Sequence, residues 1–324
     1  MKDQSVSIVI PTLNGKELLK RFLPSVMTAA KAYQGESEVI IVDDGGTDGS
    51  DELIKSEFAG VRLIRLEETR GFAGVCNEGF RACRNQIVIL LNNDVLVDRD
   101  FIAPLVAHFE NEEVFGVRSG LRLLDSNVSQ EDLERFSIGL EFKRGFIELP
   151  MFKQAVTRVP NDIFLLGGTS AAFDREKLFK LGGFDELFNP FYWEDADLSY
   201  RAWKRGWRIL HEPKSLVYHQ THSTIAKAYP KEYIERIGER NRYILVWKNI
   251  SDKKLLFNHF CWIPLRLSGL LIMGQWHRLP SLFLALKKLG KIREKRKHEL
   301  QDAKMTDFQL FSFFSRIMRD GTKF

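Results

Sequence analysis

Four short apolar runs, Val6 to Ile10, Val39 to Val42, Val61 to Leu66 and Ile87 to Leu91, are rich in Val and Ile and show little polar alternation. That pattern predicts strands buried on both faces, as in a parallel sheet. The segments between them carry apolar residues at helical spacing: Leu18, Leu19, Phe22, Leu23 and Val26, then Leu53, Ile54 and Phe58, then Phe72, Val75, Cys76, Gly79 and Phe80. Strand alternating with helix predicts βαβ units, so the stretch before Phe101 reads as an α/β nucleotide-binding half. From Phe101 to Lys153 the regularity is lost, and the mixture over 137–150 predicts exposed strands or a loop. Order returns at Val159 to Phe173. A short helix over Arg175 to Leu181, a turn at GGFDE and a helix starting near Glu194 follow. After Asn249, LLFNHFCWIPL and LSGLLIMGQWH are two uncharged runs separated by Arg266. Each is shorter than the roughly 18 to 20 apolar residues that span a bilayer.

Composition narrows the class. The 324 residues are 44% hydrophobic, 12% aromatic and 28% charged, which excludes disordered and fibrous chains. The length suits one catalytic α/β domain over 1–250 and a basic, aromatic-rich helical extension over 251–324. The net charge of +5 is unevenly spread: from Ser251 onward there are 15 basic and 6 acidic residues. Such asymmetry points one end of the molecule at an anionic surface. The run KKLGKIREKRK (287–297) and the aromatic FQLFSFF (308–314) fit a helix lying in a membrane interface, with packing onto the catalytic domain or an oligomer contact as the competing readings. Cys76, Cys83 and Cys261 make neither a disulfide framework nor a metal motif, and Cys76 and Cys83, seven apart on one helix face, read as core thiols. The N-terminal apolar run is too short for a secretory signal, so a cytoplasmic location is expected, peripheral at the inner face of the membrane.

Ligands in such sheets bind at the carboxyl ends of the strands. Those positions are polar here: Pro11, Thr12 and Asn14 after the first run, Asp43 and Asp44 after the second, Asn92, Asn93 and Asp94 after the fourth. Each cluster alone is ordinary turn chemistry. Together they converge on one edge. Neither GxGxxG nor a P-loop is present, which leaves a nucleotide held by side chains and a metal.

The segments IVIPTLNGKELL, VIIVDDGGTDGS, ETRGFAGVCNEGF, ILLNNDV, LGGFDELFNPFYWEDADLSYRAWKRGW and VYHQTHS follow one another as in family 2 glycosyltransferases, and the chain resembles the bacterial rhamnosyltransferase-like branch from about Ser5 to His222. The resemblance implies a GT-A fold: α/β, with a mostly parallel central sheet flanked by helices. It implies inverting transfer from a UDP- or dTDP-sugar donor to a hydroxyl of a glycan or lipid-linked acceptor, in cell-envelope polysaccharide synthesis. Thr12, Asn14 and Asp44 would line the base and ribose pocket, with Asp44 reading the base. Arg70 and the segment ending at Asn77 would lie beside the nucleotide, unless Arg70 is spent on Glu67 or Glu68. Asn92, Asn93 and Asp94 stand at the family's DxD. The first carboxylate is an amide here, so Asp94, with His219, would hold Mn²⁺ or Mg²⁺. Asp195 would be the catalytic base and Glu194 would orient the acceptor, at a helix N-terminus whose dipole favours ionised carboxylates. Gly168, Thr169 and Trp193 would meet the acceptor. Competing readings are a sugar-phosphate nucleotidylyltransferase and a non-catalytic nucleotide-sugar or glycan-binding protein. Nucleic acid is not an expected partner.

Overall fold

A computed structural model describes residues 4–124, 136–153, 159–220 and 228–321. The four apolar runs are strands β1 (Val6–Thr12), β2 (Ser37–Asp43), β3 (Val61–Arg65) and β4 (Ile87–Leu91), joined by helices α1 (Lys16–Ala32), α2 (Ser50–Glu57) and α3 (Gly71–Ala82). They lie side by side in the order β4-β1-β2-β3, all parallel. Ile8 and Ile10 pack with Leu19, Leu23 and Leu53 on one face, while Val9 packs with Val75, Cys76 and Phe80 on the other. Both faces are covered, which is why the runs carry so few polar residues.

The rest of the sheet is mixed. After β5 (Val95–Val97), the short helix α4 (Ile102–Val106) and β6 (Val114–Leu123), the chain makes two small antiparallel pairs from β7 (Phe136–Ile138), β8 (Glu141–Lys143), β9 (Phe146–Glu148) and β10 (Met151–Lys153). These pairs are not exposed throughout, contrary to the expectation for 137–150. Leu140, Phe146 and Ile147 are fully buried, because C-terminal helices cover them. Strands β11 (Asn161–Asp162), β12 (Ser170–Asp174) and β13 (Arg208–His219) complete the sheet in the order β11-β13-β6-β12-β4, with β5 also on β13. β12 runs antiparallel to β4, so its N-terminal end meets the C-terminal end of β4. The helices predicted after it are present as α5 (Arg175–Lys180) and α6 (Glu194–Lys204).

The C-terminal part is helical: α7 (Lys231–Asn249), α8 (Lys253–Ile272), α9 (Pro280–Leu286), α10 (Leu289–Gln301) and α11 (Asp307–Gly321). The core does not stop at residue 250. Ala285, Ile292, Leu310 and Phe314 belong to the same buried cluster as Val9, Trp203 and Tyr243. This corrects two sequence expectations. Within the aromatic segment 308–314, Leu310 and Phe314 face inward, Phe314 edge-on to Phe164 and Trp203, so packing claims these residues while Phe308 stays exposed. The first run and the second as far as Ile272 lie in one continuous 20-residue helix, long and apolar enough by composition to cross a membrane. Arg266 interrupts the apolar run without interrupting the helix, and its guanidinium pairs inward with the buried Glu239.

Candidate active site

Thr12 lies in register with Asp43, and Val9 with Leu90, so β1, β2 and β4 release their chains at one edge. Their loops are tied together. Asn93 Nδ2 donates to Thr12 Oγ1 at 2.9 Å, and the Thr47 amide donates to Asn14 Oδ1 at 2.8 Å. Asn14 is exposed there in a left-handed conformation (φ 50°), while Pro11 is buried inside β1 and offers shape only. Gly15 lets the loops close: a Cβ there would stand 2.3 Å from Asn93 Nδ2. The Asn92 amide donates to the Thr169 carbonyl, which joins the β4 edge to the entry of β12.

Asp44 is buried, and its carboxylate accepts from the amides of Arg70 (2.7 Å) and Gly71 (3.1 Å) at the start of α3. Gly71 takes φ +71° at that turn, a backbone that suits glycine. Burial pushes the Asp44 carboxyl upward, and the two amides oppose it. Each oxygen has one strong donor and keeps a lone pair for a further one. Asp44 therefore fixes the β3–α3 loop as well as facing the expected base pocket.

Asp94 shows the largest unmet demand. It is buried, its Oδ1 has no hydrogen-bond partner, and His219 Nε2 stands 3.3 Å from that oxygen. The two are brought together by β5–β13 pairing, in which His219 faces Val95. An unpaired carboxylate oxygen beside an imidazole nitrogen fits a divalent cation of the Mn²⁺ or Mg²⁺ kind. Among the described residues no three His, Cys, Asp or Glu side chains gather as a closed metal cage, so the remaining ligands would be substrate oxygens and water. Residues 221–223 of the VYHQTHS segment lie outside the described residues.

The other carboxylates sit at the start of α6. Tyr192 (φ 68°) and Trp193 (φ 77°) are consecutive non-glycine residues in the left-handed region, a costly turn that needs support. Helix α7 supplies it: Asn241 Nδ2 lies within hydrogen-bond distance of the carbonyls of Phe188, Phe191 and Tyr192, and Arg240 donates to that of Asn189. The turn delivers Glu194 buried, with Oε2 unpaired, and Asp195 partly exposed, its Oδ1 accepting from the Ala196 amide at 2.8 Å. Burial, then the neighbouring Asp195 charge, pushes the Glu194 carboxyl up to about 8. Here burial outweighs the helix dipole that led us to expect both groups ionised. Asp195 is also raised by burial, opposed by amide hydrogen bonds. A proton shared by the two is held better by Glu194, whose Oε2 has no donor among the described residues, than by Asp195, which accepts the Ala196 amide.

This pair sets a pH dependence. Between its ordinary value of 4.5 and its folded value of about 8, Glu194 holds a proton that the unfolded chain has lost. Stability from this group is complete at low pH and declines as pH rises through that window. Glu194→Gln cannot titrate, so its melting temperature relative to wild type should climb from pH 5 to pH 8. A constant difference across that range would contradict the burial argument.

Two donor-side expectations need correction. Asn77 is buried with both amide atoms engaged inside the protein: Nδ2 donates to the Phe184 carbonyl and Oδ1 accepts the Phe184 amide, each at 2.9 Å. It is a clamp between α3 and the turn before α6. Arg70 is ion-paired with Glu78, two helical turns into α3, and not with Glu67 or Glu68. Gly168 lies against the Phe72 ring, and Trp193 is partly buried beneath Arg242. Neither the Arg240–Asn241 support nor the aromatic group of Phe191, Tyr192, Tyr229 and Tyr233 beside the Glu194 turn was visible in the residue pattern. Only the place of Tyr192 next to the WED segment hinted at that group.

Helix α3 connects Asp44 with the turn that leads to Glu194 and Asp195. Asp44 holds its first amides, the Phe72 amide donates to the Pro190 carbonyl, and Asn189 Nδ2 donates to that of Arg70. The Cys76 thiol in the same helix is pushed up by burial and by the charges of Glu194 and Asp44. A sequence profile described as Glycosyl transferase family 2 matches residues 7–182, more than half of the chain. The chain belongs to that family. This glycosyltransferase is similar to the uncharacterized glycosyltransferase YfnE of Bacillus subtilis (26% identical, 68% of this chain and 66% of the relative) and to the poly-beta-1,6-N-acetyl-D-glucosamine synthase of Staphylococcus aureus (24%, 66% and 50%). It spans half to two thirds of the length of these curated relatives. A crystal structure of GalNAc-T7 with UDP, GalNAc and Mn²⁺ superposes with a TM-score of 0.61 at 20% identity, over 78% of this chain and 49% of that one. The fold of this glycosyltransferase is therefore of the GT-A type.

Proposed function

We propose that the chain is an inverting, metal-dependent hexosyl- or rhamnosyltransferase. It moves a sugar from a UDP- or dTDP-sugar to a hydroxyl of a glycan or lipid-linked acceptor in cell-envelope polysaccharide synthesis. The observation that carries this reading is Asp94 Oδ1, without a hydrogen-bond donor among the described residues and 3.3 Å from His219 Nε2. The relative from Staphylococcus aureus is named as a polysaccharide synthase, and GalNAc-T7 was crystallised with UDP and Mn²⁺, which supports both donor class and metal.

In this reading Asp94 and His219 hold the divalent ion. When bound, it supplies positive charge against the departing diphosphate. Thr12, Asn14 and Asp44 hold the nucleoside. Neutral Glu194 can donate a hydrogen bond to the acceptor, whereas ionised Asp195 accepts the proton of its hydroxyl. The acceptor oxygen forms its bond to the anomeric carbon as the bond to the diphosphate breaks on the opposite face. One displacement inverts the centre.

The test is release of nucleoside diphosphate from a panel of nucleotide sugars with and without Mn²⁺. Slow, metal-dependent release from a UDP- or dTDP-sugar is expected. Release from none of them, or release unaffected by chelation, would count against the reading.

A further inference from the structure

Helix α8 is apolar yet little covered: along its 20 residues only His259 and Leu270 are buried. Its inner side is fixed to the protein. His259 Nδ1 lies 2.6 Å from the Gly145 carbonyl, Trp247 Nε1 donates to His259 Nε2, and Arg266 pairs with Glu239. On its outer side Phe257, Cys261, Pro264, Leu265, Ser268 and Ile272 recur at three- and four-residue spacing, all exposed. Met273, Trp276 and Phe283 continue the surface into the next turn and α9, each more than half exposed. Isolated exposed apolar residues need no explanation, but a contiguous face of this kind does.

The charge around it is of one sign. From Lys253 to Arg293 the sequence holds eight Lys and Arg and no Asp or Glu. At the α9 end, Lys287 Nζ lies 4.7 Å above the Phe283 ring. Behind it opens a cleft of about 490 Å³ lined by Lys287, Lys288, Lys291 and Lys295, with Glu186 as its one acid. Lys295 is paired with Asp185 and Lys288 donates to the Leu187 carbonyl. Burial, then the nearby Arg240, pushes the Lys288 ammonium down to about 8, an environment that an anion would relieve.

We propose that the outer face of α8, the 276–278 turn and α9 seats on an anionic phospholipid bilayer, with the four-lysine cleft taking a lipid phosphate. A second copy is a poor occupant, because two-fold pairing would set one predominantly basic face against another. The helix lies in the interface and does not cross it, since crossing would strip Arg266 from Glu239 and His259 from Trp247. Trp276 and the flanking lysines suit the headgroup boundary, where an apolar body meets a polar rim. The proposal enlarges on the lipid-linked acceptor of the preceding reading. It rests on this face alone, and nucleotide release in free solution reports that other reading separately.

The experiment is co-sedimentation of the full chain with phosphatidylcholine vesicles with and without phosphatidylglycerol. Wild type should sediment with the anionic vesicles, less so at high salt. Lys287→Gln/Lys291→Gln should weaken binding roughly thirtyfold at low salt, about fivefold for each charge. Phe257→Glu/Ile272→Glu should abolish binding at any salt while leaving nucleotide release and melting temperature unchanged. Equal sedimentation of all variants would overturn the proposal. So would failure of wild type to bind either vesicle, whether it stays monomeric, self-associates through Phe257, or takes up only inorganic phosphate.

Discussion

Asp195→Asn should lower the transfer rate by about a hundred- to ten-thousandfold, the range that a positioned general base contributes. That is roughly 3 to 5 kcal/mol of lost transition-state stabilisation. The substitution keeps the volume of the side chain and its acceptance of the Ala196 amide. What it removes is the ability to take the acceptor proton. Since Asp195 belongs to the acceptor side, affinity for the nucleotide sugar should stay near wild type. Because Glu194 holds the shared proton, it cannot replace the missing base near neutral pH. Steady-state transfer assays alongside donor titration separate the two quantities. A rate within a few-fold of wild type would remove Asp195 from the role.

The turn that presents this base is anchored by an ionic core. Asp197, three residues into α6, is fully buried and bonded to Lys248 Nζ, Arg201 and Asn249, while Asp185 shares the same lysine. Lys248 and Lys295 hold the Asp185 carboxyl well below the usual range despite its burial. Asp197 thus has structural work of its own, distinct from the catalytic carboxylates one turn earlier. The same helix start carries both an unpaired, proton-holding Glu194 and a fully compensated Asp197. What separates them is whether a cation reaches the site.

Strands β1, β2 and β4 and helix α3 were legible because burial on both faces leaves a continuous apolar run, and covered helices keep their spacing, whereas the edge strand β3 alternates half-buried apolar residues with exposed Arg62 and Arg65. The candidate site was legible where it depended on chain order: Asp44 and Asp94 directly after strands, Glu194 and Asp195 at a helix start. What could not be read depends on partners far along the chain. Asn77 looks like a donor ligand until Phe184, 107 residues away, satisfies its amide. Arg266 looks like a charge dividing two apolar runs until Glu239 pairs with it. Phe314 looks like part of a membrane-seeking patch until Phe164 and Trp203 pack against it. In each case the residue type was correctly noticed and its partner was hidden.

In the proposed function Asp94 and Asp195 serve opposite sides of one reaction centre. Asp94 supplies a carboxylate oxygen with no hydrogen-bond donor among the described residues, next to His219. Its removal should therefore cost donor affinity, and only in the presence of the metal. Loss of a supporting residue around a metal typically costs ten- to a hundredfold, so loss of a ligand should reach about a hundredfold or more. Calorimetric titration of the nucleotide sugar into wild type, Asp94→Ala and Asp195→Asn, with Mn²⁺ and with chelator, measures this directly. The account predicts that Mn²⁺ tightens binding to wild type and Asp195→Asn alike, and that Asp94→Ala loses the metal-dependent gain. Metal-independent binding, or an Asp94→Ala titration matching wild type in Mn²⁺, would contradict it.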